Sequence, residues 1–138
     1  MESESRKCVM VVDERLPMGL AVNAAGVLAV TLGRRVETIV GPDVADASGE
    51  AHAGIVSIPI PVLNAGAEAI GQLRSRAADA DGMFVVDFTD IAQTSKTYDE
   101  YTRRMETSPR EDLGYLGVAL YGDKKLINKL TGSLPLLR

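Results

Sequence analysis

Short apolar runs alternate with longer helical stretches along this chain, and polar or glycine-containing breaks separate them. Lys7 to Val12 (KCVMVV) is a β-branched run with no polar alternation, the pattern of a strand buried on both faces. After Asp13-Glu14-Arg15-Leu16-Pro17, the Ala-, Leu- and Val-rich stretch from Met18 to about Leu32 predicts a helix. It is apolar nearly all round, so it is expected to lie on a sheet and to be covered on its other side. Gly33 with Arg34-Arg35 predicts its end, by a glycine cap and by cations at the negative end of the helix dipole. Val36 to Val40 reads as a second short strand, and Asp43 to Gly54 as a surface loop or hairpin. Ile55 to Pro61 (IVSIPIP) reads as an edge strand or strand end, since its prolines remove ladder donors.

In the second half, Asn64 is placed to cap a helix running to about Asp79, with Ile70 and Leu73 on its inner face. Asp81-Gly82 predicts a turn, and Met83 to Asp87 (MFVVD) a buried strand. The polar run Phe88 to Lys96 follows. Thr97 and Glu100 then form a capping box that opens a helix to about Glu106. Ser108-Pro109 opens one short helical turn closed by Gly114, and Tyr115 to Tyr121 is the last strand. A final helix spans Lys124 to Leu130 and stops at Gly132; the apolar tail from Ser133 is expected to pack back on the body. Strands alternating with helices predict a single α/β domain over residues 1–138, a three-layer α/β/α sandwich with a mixed, partly parallel sheet.

Composition narrows the chemistry. The chain has 138 residues, a size that buries one core without staples. It has one cysteine, Cys8, and one histidine, His52, which argues against a disulfide framework, a Cys-rich zinc site or a His cluster. Fifteen basic against nineteen acidic residues leave a net charge of −4, so the overall field does not draw in nucleic acid. The first seven residues lack a signal peptide's pattern, and no apolar run reaches the roughly 20 residues of a membrane span. Both point to a cytoplasmic protein that does not contact membrane. No cofactor and no metal site is implied.

Ligand sites in open α/β sheets form beyond the carboxyl ends of strands. Asp13 and Asp87 end two such strands; if these are parallel neighbours, both carboxylates and the adjoining Thr89 and Asp90 enter one crevice. Asp87 is then the candidate catalytic base, and Asp13 a ligand anchor, unless each only caps the connection that follows. Gln93, Thr94, Ser95 and Lys96 offer polar groups to a ligand or form a hydrated loop leading to Thr97. Asn23, alone among apolar neighbours, is a ligand-binding candidate or an internal cap. Arg15 is a candidate cation for the same crevice. Cys8, in mid-strand, is expected to be a buried, inert thiol, and His52 an exposed histidine of the acidic loop.

Lys7 to Val30 (KCVMVVDERLPMGLAVNAAGVLAV) resembles the opening of type 2 peptidyl-tRNA hydrolases, in which a strand precedes D-L-x-M-x-x-G-K-x-A-A-Q-x-x-H-A. Val11-Val12, Leu16, Met18-Gly19 and Ala24-Ala25 carry the likeness. Gly122 and Leu126-Ile127-Asn128-Lys129-Leu130-Thr131-Gly132-Ser133-Leu134 are similar to that family's closing G…L-I-D-K-V-T-G-x-L. Asp87 falls where the family has the aspartate of D-A-G-R-T. The resemblance implies that family's fold. It does not carry the catalytic set: Lys, Gln and His of the helix motif are Val22, Gly26 and Ala29 here, and of D-A-G-R-T only the aspartate remains. A cation that steadies phosphate or oxyanion is not replaced by valine. With IPIPVL and the terminal KLTGSLPLLR included, the chain resembles an uncharacterised bacterial family, domain of unknown function family 2000, that shares the hydrolase fold.

Three functions follow as expectations. The first is binding of, or action on, an unidentified small molecule in the Asp87 crevice. The second is hydrolysis of an ester or amide at a tRNA end, with Asp87 as base and Lys96 or Arg15 as cation. The third is a non-catalytic interaction protein, dimerising through the apolar Val22/Gly26/Ala29 face.

Overall fold

The computed structural model describes residues 5–138. Four strands form the main sheet: β1 (Arg6–Asp13), β4 (Val62–Ala65), β5 (Phe84–Thr89) and β6 (Tyr115–Asp123). Their spatial order is β4-β1-β6-β5, with β1 parallel to β4 and antiparallel to β6, and β5 antiparallel to β6. The sheet is therefore mixed and partly parallel. The continuous apolar runs that predicted β1, β5 and β6 are explained by helices on both faces.

Alternation along the strands divides the core. Val9, Val11, Val118 and Leu120 face α2 (Ala67–Ala78) and α5 (Lys124–Thr131), packing on Ile70, Leu73, Ala77 and Ile127. Met10, Phe88 and Ala119 face the other way, onto Ala24 and Leu28 of α1 (Met18–Arg35). Gly117 lets α1 approach: an added Cβ there would stand 3.2 Å from Leu28 Cδ1. Cys8 closes this layer against Leu32 and Ile39. Helix, sheet and helix layers follow from these contacts. The short helices α3 (Asp90–Thr94) and α4 (Tyr98–Glu106) sit outside the layers, beside β5.

Several local expectations are corrected. Gly33 does not end α1, which runs to Arg35 and is capped at Val36 by a bond from its N–H to Leu32 O; glycine inside the last turn is tolerated because Leu32 anchors that turn in the core. Val36–Val40 is a 3-10 turn at Glu37–Ile39 followed by a single bridge from Val40 to Val56. Ile55–Pro61 forms no strand. Pro61 accepts from Met10 N–H at 3.0 Å but has nothing to donate, and regular pairing begins only at Val62. Asn64 lies within β4 and Gly66 precedes α2; the Asn64 amide instead donates to Leu136 O at 3.0 Å. The acidic segment is a small hairpin of β2 (Val44–Ala45) and β3 (Ala51–His52). The tail does pack back: Asn64 N–H bonds Pro135 O, Leu137 N–H bonds Val62 O, and the outer edge of β4 is thereby occupied.

The largest correction concerns α1. Its inner face is buried at Ala21, Ala24, Leu28 and Leu32, but its other side is uncovered: Met18 is 83%, Val22 65% and Val30 75% exposed. No later element crosses it, because α3 and α4 stop at the β5 edge.

Candidate functional site

Among the described residues β5 is the last strand on its side of the sheet, and its outer edge meets no other strand. α3, the Ser95–Thr97 connection and α4 stand off that edge. Between them and α1 lies a cavity of 480 Å3, within the range of small-molecule sites. Val27 and Thr31 of α1 form one wall, Val86, Asp87 and Phe88 the floor, and Ala92, Ser95, Lys96, Thr97, Tyr98 and Tyr101 the other wall.

Each wall has a local cause. Thr89 caps α3, its hydroxyl accepting from Ala92 N–H at 3.4 Å. Asp90 is stapled to the loop before β6: its N–H donates to Gly114 O at 2.8 Å, and its carboxylate accepts from Gly114 N–H at 3.1 Å. Thr97 caps α4 by accepting from Glu100 N–H at 3.1 Å, while Glu100 reaches back to accept from Lys96 N–H at 3.0 Å. The capping box read from sequence is thus formed, displaced by one residue on its return bond. Arg104 joins both short helices, its Nη1 donating to Thr94 and Ser95 hydroxyls, each at 3.0 Å, and to Ile91 O at 3.4 Å.

Asp87 projects toward α2, where Arg74 Nε donates to its Oδ2 at 3.0 Å; both side chains are partly buried. The bidentate-capable guanidinium orients the carboxylate and leaves Oδ1 for another donor. Tyr101 stands close by: burial, then the Asp87 charge, then Tyr98, hold its phenol above the ordinary value of 10.0. Its hydroxyl accordingly stays protonated and able to donate across the neutral pH range. Tyr98 packs edge-on to Tyr101 with ring centroids 5.4 Å apart.

Of the ligand-binding candidates singled out from sequence, Asp87, Ser95 and Lys96 share this cavity. Asp13 does not join them. β6 lies between β1 and β5, so the two aspartates are not on neighbouring strands, which corrects the single-crevice expectation. Asp13 is buried and accepts from Arg15 N–H at 3.1 Å, with the exposed Arg15 Nε 3.7 Å away. Arg15 does not line the cavity. Thr89, 1% exposed, is committed to the α3 cap and Asp90 to the staple at Gly114. Asn23 lies on the exposed face of α1, in a shallow groove with Gly26, Val27, Val30 and Thr31. Gln93 turns inward, its Oε1 buried without a hydrogen-bond partner. Cys8 is fully buried and desolvation pushes its thiol up to about 12, an inert core residue as expected. His52 is exposed, its Nε2 2.8 Å from Asp46 Oδ2. Among the described residues no group of three or more His, Cys, Asp or Glu side chains is arranged to hold a metal. No helix among them is long and apolar enough to cross a membrane.

Sequence reading missed Arg74, Tyr101 and Arg104. Arg74 adjoins the Ile70/Leu73/Ala77 stripe, and a cation flanking a buried stripe is a signal that it reaches over the sheet edge. Tyr98 and Tyr101, three apart on an otherwise polar helix, were the other available signal. A wider hollow of 750 Å3 opens between α2 and the Arg110–Tyr115 segment. Its rim charges, Glu68 and Glu111 against Arg76 and Arg110, are exposed and mixed in sign, and it contains none of the candidates.

The molecule is thus an α/β/α protein with a ligand-sized cavity at one free sheet edge. Residues 6–138 match the family described as "Protein of unknown function (DUF2000)", and the chain belongs to that family. No curated protein matches it. Among solved structures it is similar to the protein of unknown function Atu0240 from Agrobacterium tumefaciens strain C58, with TM-score 0.87 and 17% identity over 96% of this chain and 97% of that one. At that identity the likeness establishes a common fold.

Proposed function

We propose that this chain is a small-molecule-binding protein of the type 2 peptidyl-tRNA hydrolase fold superfamily, with its site at the β5 edge. The observation that carries the reading is the 480 Å3 cavity whose lining includes Asp87, Lys96 and Tyr101. Asp87 is held by Arg74 and accepts a donor where the ligand has one; Tyr101 donates; Lys96 supplies positive charge; Val27, Val86 and Phe88 contact an apolar portion. The superfamily placement is supported by the motif likeness at both ends of the chain. The family's Lys, Gln and His positions are Val22, Gly26 and Ala29, all on the uncovered face of α1, so the usual catalytic set is absent.

A fragment screen read by amide NMR shifts tests the proposal. Fragments are expected to move Val86–Phe88 and Ser95–Tyr98 together, and Asp87→Asn or Lys96→Ala to weaken them tenfold or more while the melting temperature stays within a few degrees. Hits that cluster elsewhere, or that ignore both substitutions, would refute it.

The shared position of Asp87 and Lys96 also favours a second reading, in which Asp87 is base and Lys96 the cation for cleaving an ester or amide at a tRNA end. Turnover of an N-blocked aminoacyl-tRNA, lost in Asp87→Ala and measured beside a true hydrolase, supports it; no turnover above that variant eliminates it. The exposure of Met18, Val22 and Val30 favours a third reading, a homodimer through α1. A monomeric sedimentation mass at working concentration would remove that one.

A further inference from the structure

The cavity at Asp87 borders a second hollow on α1. Val27 and Thr31, which close it on the α1 side, also line the 470 Å3 groove that runs along α1 by Gly26 and Val30. The two hollows adjoin at these two residues and differ chemically. At the β5 end stand hydroxyls and the Lys96 ammonium. Asp87 there is paired with Arg74, whereas Lys96 forms no ion pair among the described residues, which leaves its ammonium available to an anion. At the α1 end the lining carries no charge, Gly26 leaves open space where a side chain would stand, and Val30 is 75% exposed. From Asn23 to Thr31 the groove follows about 12 Å of helix, roughly the reach of an eight- to ten-carbon extended chain.

We infer that the two adjoining hollows bind a free single-chain amphiphile with an anionic head: carboxylate or phosphate held by the donors Lys96 and Tyr101, and an unbranched apolar chain laid along Val27, Gly26 and Val30. This rests on the reading that the Asp87 cavity takes a small ligand, and it names the class. A second copy of the chain docked on α1 would cover the groove but leave the cavity empty, whereas an amphiphile occupies both. Burying the chain gains from the same apolar surface that α1 now leaves in water.

The test uses the intact protein and sodium butanoate, hexanoate, octanoate and decanoate, each below its micelle concentration, with amide shifts of Lys96 and Val30 as readout. Affinity is expected to rise about threefold per methylene, close to a hundredfold from butanoate to octanoate. Val30→Asp, at an exposed position, flattens that dependence and leaves the butanoate shift at Lys96 intact. Lys96→Ala weakens every member similarly, and octylamine binds at least tenfold more weakly than octanoate. Butanoate binding without any gain in longer chains overturns the inference and leaves the small-ligand reading standing. Absence of shifts with every alkanoate also overturns it, and the fragment screen alone then judges the site. A dimer that Val30→Asp dissociates, with no alkanoate binding, overturns it in favour of a second copy.

Discussion

Removing Arg104 should loosen one whole wall of the cavity without touching the sheet. Its Nη1 reaches three acceptors, the hydroxyls of Thr94 and Ser95 at 3.0 Å and Ile91 O at 3.4 Å, yet that nitrogen carries two protons. Two good bonds are therefore the most it makes at once, with the carbonyl as the weaker partner. A charge-assisted bond is worth about 1.5–3 kcal/mol when shielded from water. The Arg104 side chain is 37% exposed, and its pairing with Glu100 at 3.8 Å is shared with solvent. Discounted for that screening, Arg104→Ala should cost about 1–2 kcal/mol, which for a chain of this size lowers the melting temperature by roughly 3–6 °C. The local effect is more diagnostic. The Ser95 N–H, bonded to Ile91 O at 3.1 Å, should lose roughly tenfold of its hydrogen-exchange protection, while Val9 and Leu120 in the central strands lose only what global stability loses. Arg104→Lys keeps the charge but not the fork, and falls between the two. Unchanged exchange from Ile91 to Tyr98 in Arg104→Ala, with a midpoint within a few tenths of a kcal/mol of wild type, would show that the wall stands without this residue.

Other consequences concern the core and pH. Leu28→Ala removes a fully buried side chain between α1 and the sheet, and should cost about 2–5 kcal/mol in urea denaturation with an unchanged m-value; a loss under 1 kcal/mol would contradict the packing described. Cys8 should resist thiol reagents in the native protein at neutral pH and react only on unfolding; labelling at the rate of a free thiol would contradict its burial. Because its folded thiol keeps its proton to about 12 against an ordinary 9.0, the stability linked to it is fully present below pH 9 and lost as pH rises toward 12; Cys8→Ala should lack that slope. Asp46, hydrogen-bonded first by His52 and then by the Glu50 and Ser48 amides, titrates below its ordinary 3.8. The order this lends the β2–β3 hairpin is present above pH 3.8 and lost as pH falls through the lowered value, which the Ser48 and Glu50 amide shifts should follow together; separate titrations would break the link.

The sequence by itself determined what depends on local order and on binary pattern. β1, β5 and β6 were legible because continuous apolar runs suit strands covered on both faces. The α4 cap at Thr97 was legible because a capping box is closed within four residues, and the inertness of Cys8 followed from its place in mid-strand. Asp87 drew attention as the end of the MFVVD run and from the motif likeness, but it lies inside β5, which stays paired with β6 as far as Thr89. The tertiary structure alone decided the rest. Strand order separated Asp13 from Asp87 by inserting β6, and no local signal records which strand pairs with which. Thr89 and Asp90 carry the residue types of a site but became a helix cap and a staple to Gly114, partners 3 and 24 residues away. Arg74 and Tyr101 reached Asp87 from two other elements. The outer face of α1 reads as a buried helix because periodicity reports apolarity and not cover. Whether such a face is buried depends on where the later chain runs, and here α3 and α4 turn aside at the β5 edge, leaving the cavity and the apolar groove side by side.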